Sequence, residues 1–128
     1  MSSLQNFQKK YDHQFFQSCC GETPEFKSFC ASLKRALNRD LKESPLELDT
    51  FSKGHFYASG FLKGYGGYVY FCVDEVRPYA DLRRKVYCRI AEHNKDFHGR
   101  ENHMCELGEL LHVAEWLLKQ DAARKTVA

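Results

Sequence analysis

No stretch of this chain approaches the roughly 18 consecutive apolar residues of a membrane-crossing helix, so no transmembrane segment is expected. It also lacks a Walker-type or dinucleotide glycine fingerprint, a CxxC pair and an HxxxH pair, the short motifs that usually announce phosphate binding or a structural metal. The glycine run "GYGG" (Gly64 to Gly67) has no helix after it to aim backbone amides at a phosphate, so it reads as a hairpin loop. There is no internal repeat and no low-complexity segment. The opening residues "MSSLQNFQKKYDHQFF" contain no uninterrupted apolar core of a signal peptide, and the expectation is a reduced, cytoplasmic setting.

What is present suits one globular domain over residues 1–128. The chain is 43% hydrophobic and 28% charged, ordinary values for a folded protein. Its net charge of +2 hides a gradient. Residues 1–50 carry 7 basic and 7 acidic side chains, 51–100 carry 9 and 5, and 101–128 carry 3 and 5. A basic central region and an acidic terminal helix follow. Of six cysteines, Cys30, Cys72, Cys88 and Cys105 fall inside patterned elements, three of them at positions predicted to face inward, where a reduced cysteine behaves as a small buried hydrophobe.

Leu4, Phe7, Tyr11 and Phe15 recur at helical spacing and predict a first helix that "CCGETP" stops near Cys20. Thr23 as N-cap and Pro24 at the first helical position start a second, with Phe26, Phe29, Cys30, Leu33, Leu37 and Leu41 as its stripe. Lys34, Arg35, Arg39 and Lys42 form a basic ridge on its other side, diluted by Asp40 and Glu43. From Leu46 to Ala91 the period changes from 3.6 to 2 and predicts three or four strands. In the hairpin around "GYGG", Leu62 faces Val69, Gly60 faces Phe71 and Ala58 faces Val73. Asn102 caps a last helix in which Met104, Leu107, Leu111, Ala114 and Leu118 form the core stripe. The order is ααβββ(β)α: an α+β domain with a small antiparallel sheet of 3–4 strands, two N-terminal helices and one C-terminal helix.

The same alternation gives the sheet a second face that the aliphatic core does not need. Tyr57, Phe61, Tyr68, Tyr70 and Tyr87 share it, with Lys63, Lys85 and Arg89 among them and His55 at its margin. Three outcomes are open for such a face. The first helix covers it; or it is a protein-binding surface, for which Tyr and Arg are favoured residues; or it stacks the bases of single-stranded nucleic acid. A sequence pI near 8.2 falls short of the strongly basic footprint of a dedicated nucleic-acid binder.

His93, His98, His103 and Cys105 lie within 13 residues and are the chain's densest set of metal-ligand types, which makes a metal-dependent enzyme the second alternative. The pair His93-Asn94 resembles part of an HNH-type nuclease, but the predicted elements lack its ββα setting. No cysteine has an evident base beside it, so no catalytic residue, metal or cofactor is assigned.

"SKGHFYASGFLKGYGGYVYFCVDEVR" and "RIAEHNKDFHGREN" together resemble a pattern in small proteins encoded by phages and other mobile elements. It consists of a KGHFY-x-SGF hairpin, a YVYF strand, a further strand, a KDF-G loop and a terminal helix, covering about the last 75 residues. The resemblance implies a setting rich in compact inhibitors of bacterial defence, anti-CRISPR proteins among them. The resulting expectation is a non-catalytic interaction or inhibitor protein. Its partner is a host protein or nucleoprotein complex bound through Tyr57, Phe61, Lys63, Tyr68, Tyr70, Lys85, Tyr87 and Arg89. Direct nucleic-acid binding is the first alternative, homodimerisation through the same face is a further one, and no membrane is involved.

Overall fold

In a computed structural model, which describes residues 1–17, 21–98 and 100–127, the change of period near residue 46 becomes a change from helix to sheet. Helices α1 (Ser3–Tyr11) and α2 (Pro24–Leu41) precede strands β1 (Glu47–Lys53), β2 (Ala58–Gly64), β3 (Gly67–Val73), β4 (Val86–Ala91) and β5 (His103–Cys105). A 3-10 turn over Leu107–Glu109 then leads into α3 (Leu110–Val127). The strands lie side by side in chain order, each antiparallel to the one before. This is the expected α+β class, with five strands rather than three or four.

The hairpin has the expected register: Ala58 pairs with Val73, Gly60 with Phe71 and Leu62 with Val69. The loop is shorter than the four residues expected from Gly64 to Gly67: these two glycines close the ladder, leaving Tyr65 (φ 53°) and Gly66 (φ 76°) as a two-residue turn with both central φ positive, the type I′ signature. Gly60 is required by contact: a Cβ there would meet the Thr50 carbonyl oxygen at 2.3 Å and the Phe71 ring at 2.9 Å.

The fifth strand is where a helical start was expected. Residues 103–105 pair with β4 (Val86 with Cys105, Tyr87 with Met104, Cys88 with His103), and the helix is delayed to Leu110. Ladder hydrogen bonds to an otherwise open strand edge outweigh one turn's helical preference. Met104 consequently leaves the core stripe and is 60% exposed.

α1 is shorter than its stripe implies. It starts with a capping box between Ser2 and Gln5 and ends at Tyr11, after which Asp12 is extended and His13 takes φ 68°. Tertiary bonds replace further helix: Asp12 Oδ1 accepts from Leu82 N (2.9 Å) and His13 N donates to the Ala80 oxygen (2.8 Å). Phe15 thus falls outside the helix, 58% exposed and edge-on to Tyr79 at 5.7 Å. The helix stop expected at Cys19 and Cys20 lies outside the described residues. α2 starts as expected, with the Thr23 hydroxyl accepting from Phe26 N at 3.3 Å.

The helices pack on one side of the sheet. α2 runs along β1, α3 crosses β3 and β4, and α1 packs on α2 and the 3-10 turn. Phe71, Val69, Val73, Val86, Cys88 and Leu62 meet Phe29, Leu33, Leu37, Leu110, Leu117 and Leu118 in the core. The idea that α1 covers the aromatic face is therefore overturned, and the reason lies in α2. Asp40 accepts from the first backbone amides of α1, Ser3 N to Oδ1 at 2.8 Å and Leu4 N to Oδ2 at 2.9 Å. A carboxylate at a helix N-terminus satisfies orphan amides and complements the dipole. Phe7 also packs against Phe29 of α2, the rings tilted at 59° and 5.3 Å apart, and on the other side of α1 Gln8 accepts from Gly108 N at 2.8 Å.

Candidate functional site on the outer sheet face

The register assembles the outer face strand by strand. Tyr70 at the centre of β3 stands opposite Phe61 on β2 and Arg89 on β4; Cys72 stands opposite Ser59 and Tyr87; Tyr87 stands opposite Met104. Phe61 and Cys72 are buried at 2% and 3% exposure, yet neither belongs to the core cluster beneath the helices. Something else shields them.

Cys72 lies against Tyr70 and Tyr87, and over Phe61 the shield is the chain's own loop after β4. Asn94 Nδ2 donates to Asp49 Oδ2 on β1 (3.1 Å), and Glu92 N donates to Asp96 Oδ2 (2.9 Å), so residues 92–98 arch back across the sheet. That backbone bond from Glu92 heads the influences that hold the Asp96 carboxyl below the usual range. Arg100 closes the arch by pairing with Glu92 (3.0 Å) and with Asp121 of α3 (2.9 Å). From the loop, Phe97 stands edge-on to Phe61 at 5.5 Å and to Tyr70 at 5.9 Å, while remaining 64% exposed.

Arg89 lies under this roof at 4% exposure. Its guanidinium carbon is 4.7 Å from the Tyr70 centroid, and Nη2 donates to the Asp96 carbonyl oxygen at 2.8 Å. Its Nη1 is buried without a hydrogen-bond partner, the one such side-chain atom among the described residues. A buried cationic N–H left unbonded is costly, and it marks a place where an oxygen acceptor would be favourable.

Beside it, burial pushes the Tyr70 hydroxyl up in pKa despite a hydrogen bond with Ser59, and pushes Tyr87 further. Burial also drives the Cys72 thiol up to about 11, against hydrogen bonds with Tyr87 and Tyr70 that lower it. Cys72 is therefore a protonated thiol at neutral pH, without the thiolate a nucleophile needs. This part of the face offers hydroxyls, an aromatic floor and one unsatisfied cation.

The eight residues read from the sequence divide into three groups. Phe61, Tyr70, Tyr87 and Arg89 come together at the centre. Tyr57 is half-buried beside Phe56 (5.6 Å) and covers Gly54, where a Cβ would lie 2.3 Å from the Tyr57 ring. Lys63 and Tyr68 sit opposite each other near the hairpin end, Lys63 paired with Glu47 at 3.4 Å, and Lys85 lies half-buried just before β4. Phe97 and Met104 were missed. Phe97 was legible as the single apolar residue in the polar run "EHNKDFHGREN", where an isolated ring needs a docking place.

The histidine cluster does not converge. His93 Nδ1 accepts from Lys95 N at 3.2 Å, His103 stands edge-on to Trp116 at 6.4 Å, and Cys105 contacts Cys88. Among the described residues no three His, Cys, Asp or Glu side chains are placed to hold one metal ion. Arg35 donates to Ser32 within α2 at 2.9 Å, and Arg83, in the turn before β4, pairs with Asp12 at 3.4 Å.

Comparison with protein-family models, with curated proteins and with solved structures finds no significant match. No helix among the described residues is long and apolar enough to cross a membrane.

Proposed function

We propose that this protein acts by binding another protein through the outer sheet face, at the patch formed by Phe97, Met104, Tyr70 and Tyr87 over Arg89. One observation carries the reading: a 64%-exposed Phe97 roofs a buried guanidinium whose Nη1 has no acceptor. Within the chain the guanidinium has one hydrogen bond, to the Asp96 carbonyl oxygen, and the face of Tyr70, which leaves Nη1 unsatisfied. A partner that shifts the Phe97 roof, which closes Nη1 off from solvent, would set an acidic or carbonyl oxygen against that atom while covering Met104. Aromatic, Met and Arg side chains at the centre of a patch are the residues that dominate protein-binding energies. With the resemblance to phage-encoded proteins, the role is inhibition by occlusion, a small body covering a working surface of a host protein.

The nucleic-acid reading is less well supported. Base stacking needs open ring faces and a track of cations for phosphates. Here Tyr70 is already taken by Arg89 on its face and by the edge of Phe97, and Lys63 is paired with Glu47.

The test is affinity capture from lysate of the cells that make the protein, using wild type, the double variant F97A/M104A, and F15A/Y79A as a control at another exposed aromatic pair. A partner retained by the control and lost by F97A/M104A supports the reading. A partner captured equally by all three sinks it.

A further inference from the structure

We propose that the groove between α1 and α2 is a second binding surface, which takes the phosphate backbone of a nucleic-acid duplex without reading its sequence. It lies on the side of the sheet where the helices pack, away from the outer face. The two helices run antiparallel: Asp40 near the end of α2 meets the first amides of α1, and Tyr11 at the end of α1 meets Phe29 near the start of α2 at 5.7 Å. Helical spacing therefore lines the groove with Ser3, Asn6 and Lys10 from α1 and with Ser32, Arg35 and Arg39 from α2.

The groove carries charge of one sign. No acidic side chain lines it, and among the described residues Lys10, Arg35 and Arg39 enter no ion pair. Asp40 dilutes the basic ridge only in the sequence. In the fold its carboxylate accepts from Ser3 N and Leu4 N, so it answers the start of α1 rather than the neighbouring arginines. All three cations are exposed, and Arg35 uses an N–H on Ser32 Oγ (2.9 Å) while its other donors stay open to a ligand.

Arg35 and Arg39 stand one turn apart, about 6 Å along the helix axis, and Lys10 extends the row from the other helix. Such a row fits a linear polyanion. A duplex carries a negative charge about every 1.7 Å of its axis, so several phosphates meet the row at once. Arg, Lys, Ser, Asn and Tyr are the side chains that contact phosphate oxygens.

The rings of the groove decide against a single strand. Phe7 is buried, and half-buried Tyr11 is held by Phe7 at 4.4 Å, by the edge of Phe29 and by Lys10 Nζ at 5.2 Å. Neither leaves an open face for an unpaired base. With Phe7 and Ala36 buried, the groove also lacks the exposed apolar anchor that centres a protein interface. Three phosphate contacts make a modest binder, in keeping with a net charge of +2. This surface shares no residue with the outer sheet face, so either can fail without the other.

The test follows binding of the full chain to a short fluorescent DNA duplex by anisotropy. Three phosphate contacts predict a loss of affinity of about 40-fold between about 50 and about 200 mM salt. R35A/R39A should bind more weakly at both concentrations and lose only about threefold between them, with Lys10→Ala between the two at about 12-fold. R84A/K95A, which removes the same charge elsewhere, should match wild type, and so should a duplex of different sequence. All five positions are exposed, so none of the substitutions touches the core. No binding at the lower salt, equal weakening by both double variants, tighter binding of the corresponding single strand, or equal binding of poly-glutamate overturns the proposal.

Discussion

Phe97 meets Tyr70 edge to face, the ring centroids 5.9 Å apart at 79°, and so joins the loop after β4 to the middle of the sheet. Through this contact the outer face has its own small apolar layer, separate from the core beneath the helices. The layer is thin: one side of Phe97 is packed and the other meets solvent. Its stability and its proposed binding role can therefore be separated by substitution.

Arg89→Met is expected to change folding stability by no more than about 1 kcal/mol. The variant loses a charge-assisted hydrogen bond worth about 1.5–3 kcal/mol, and is relieved of burying a guanidinium, a penalty of several kcal/mol. Urea unfolding checks this. A loss of about 3 kcal/mol or more would mean that the arginine is held for stability.

Asp40→Ala should cost about 2 kcal/mol, because two amides of α1 lose a carboxylate acceptor. Hydrogen exchange should rise selectively in residues 3–11, with α3 unchanged. Uniform loosening of the whole chain would argue against this local anchor.

Asp121 gives stability a pH dependence. Burial of its carboxylate would raise its pKa, but hydrogen bonds from Lys125 (3.0 Å) and Arg100 (2.9 Å) outweigh this and hold it below the ordinary value. A carboxyl with a depressed folded-state pKa stabilises above its unfolded value of 3.8, and that contribution fades as the pH falls through the folded value. Asp121→Asn is therefore expected to be less stable than wild type at pH 7 by about 1–3 kcal/mol, and the gap should shrink as the pH falls below about 4. Chemical denaturation at both pH values measures this; a gap that widens in acid contradicts it.

Gly60→Ala should be among the most damaging small substitutions, about 3 kcal/mol or more, since its methyl would overlap the Thr50 carbonyl and press on Phe71. Thermal unfolding reads it, and a near-neutral result would show that β1 can move away from β2.

The hairpin register, the second helix and the two faces of the sheet were legible because each rests on local chemistry. Gly64 to Gly67 set the turn, Thr23 and Pro24 set a helix start, and period-2 alternation sets the faces. What was not legible depended on long-range partners. Asp40 looked like a diluted charge on a basic ridge, and only the approach of α1 makes it a cap. Met104 fits a helical stripe equally well, until β4 offers its open edge. Arg89 was assigned to the outer face as a surface cation, but the loop that buries it returns across three strands, a path that no local pattern encodes. Phe97 had a signal, its isolation among polar residues, and its docking site on Phe61 and Tyr70 required the fold.

The most direct measurement of the central claim is site-specific photo-crosslinking in the cells that make the protein, with a benzophenone side chain at position 104 on the outer face or at Ala31 on the exposed side of α2. The account predicts a discrete crosslinked protein from position 104, absent from position 31 and lost when Phe97 is also changed to Ala. Crosslinking from position 31 alone, or a position-104 product indifferent to Phe97, would contradict it.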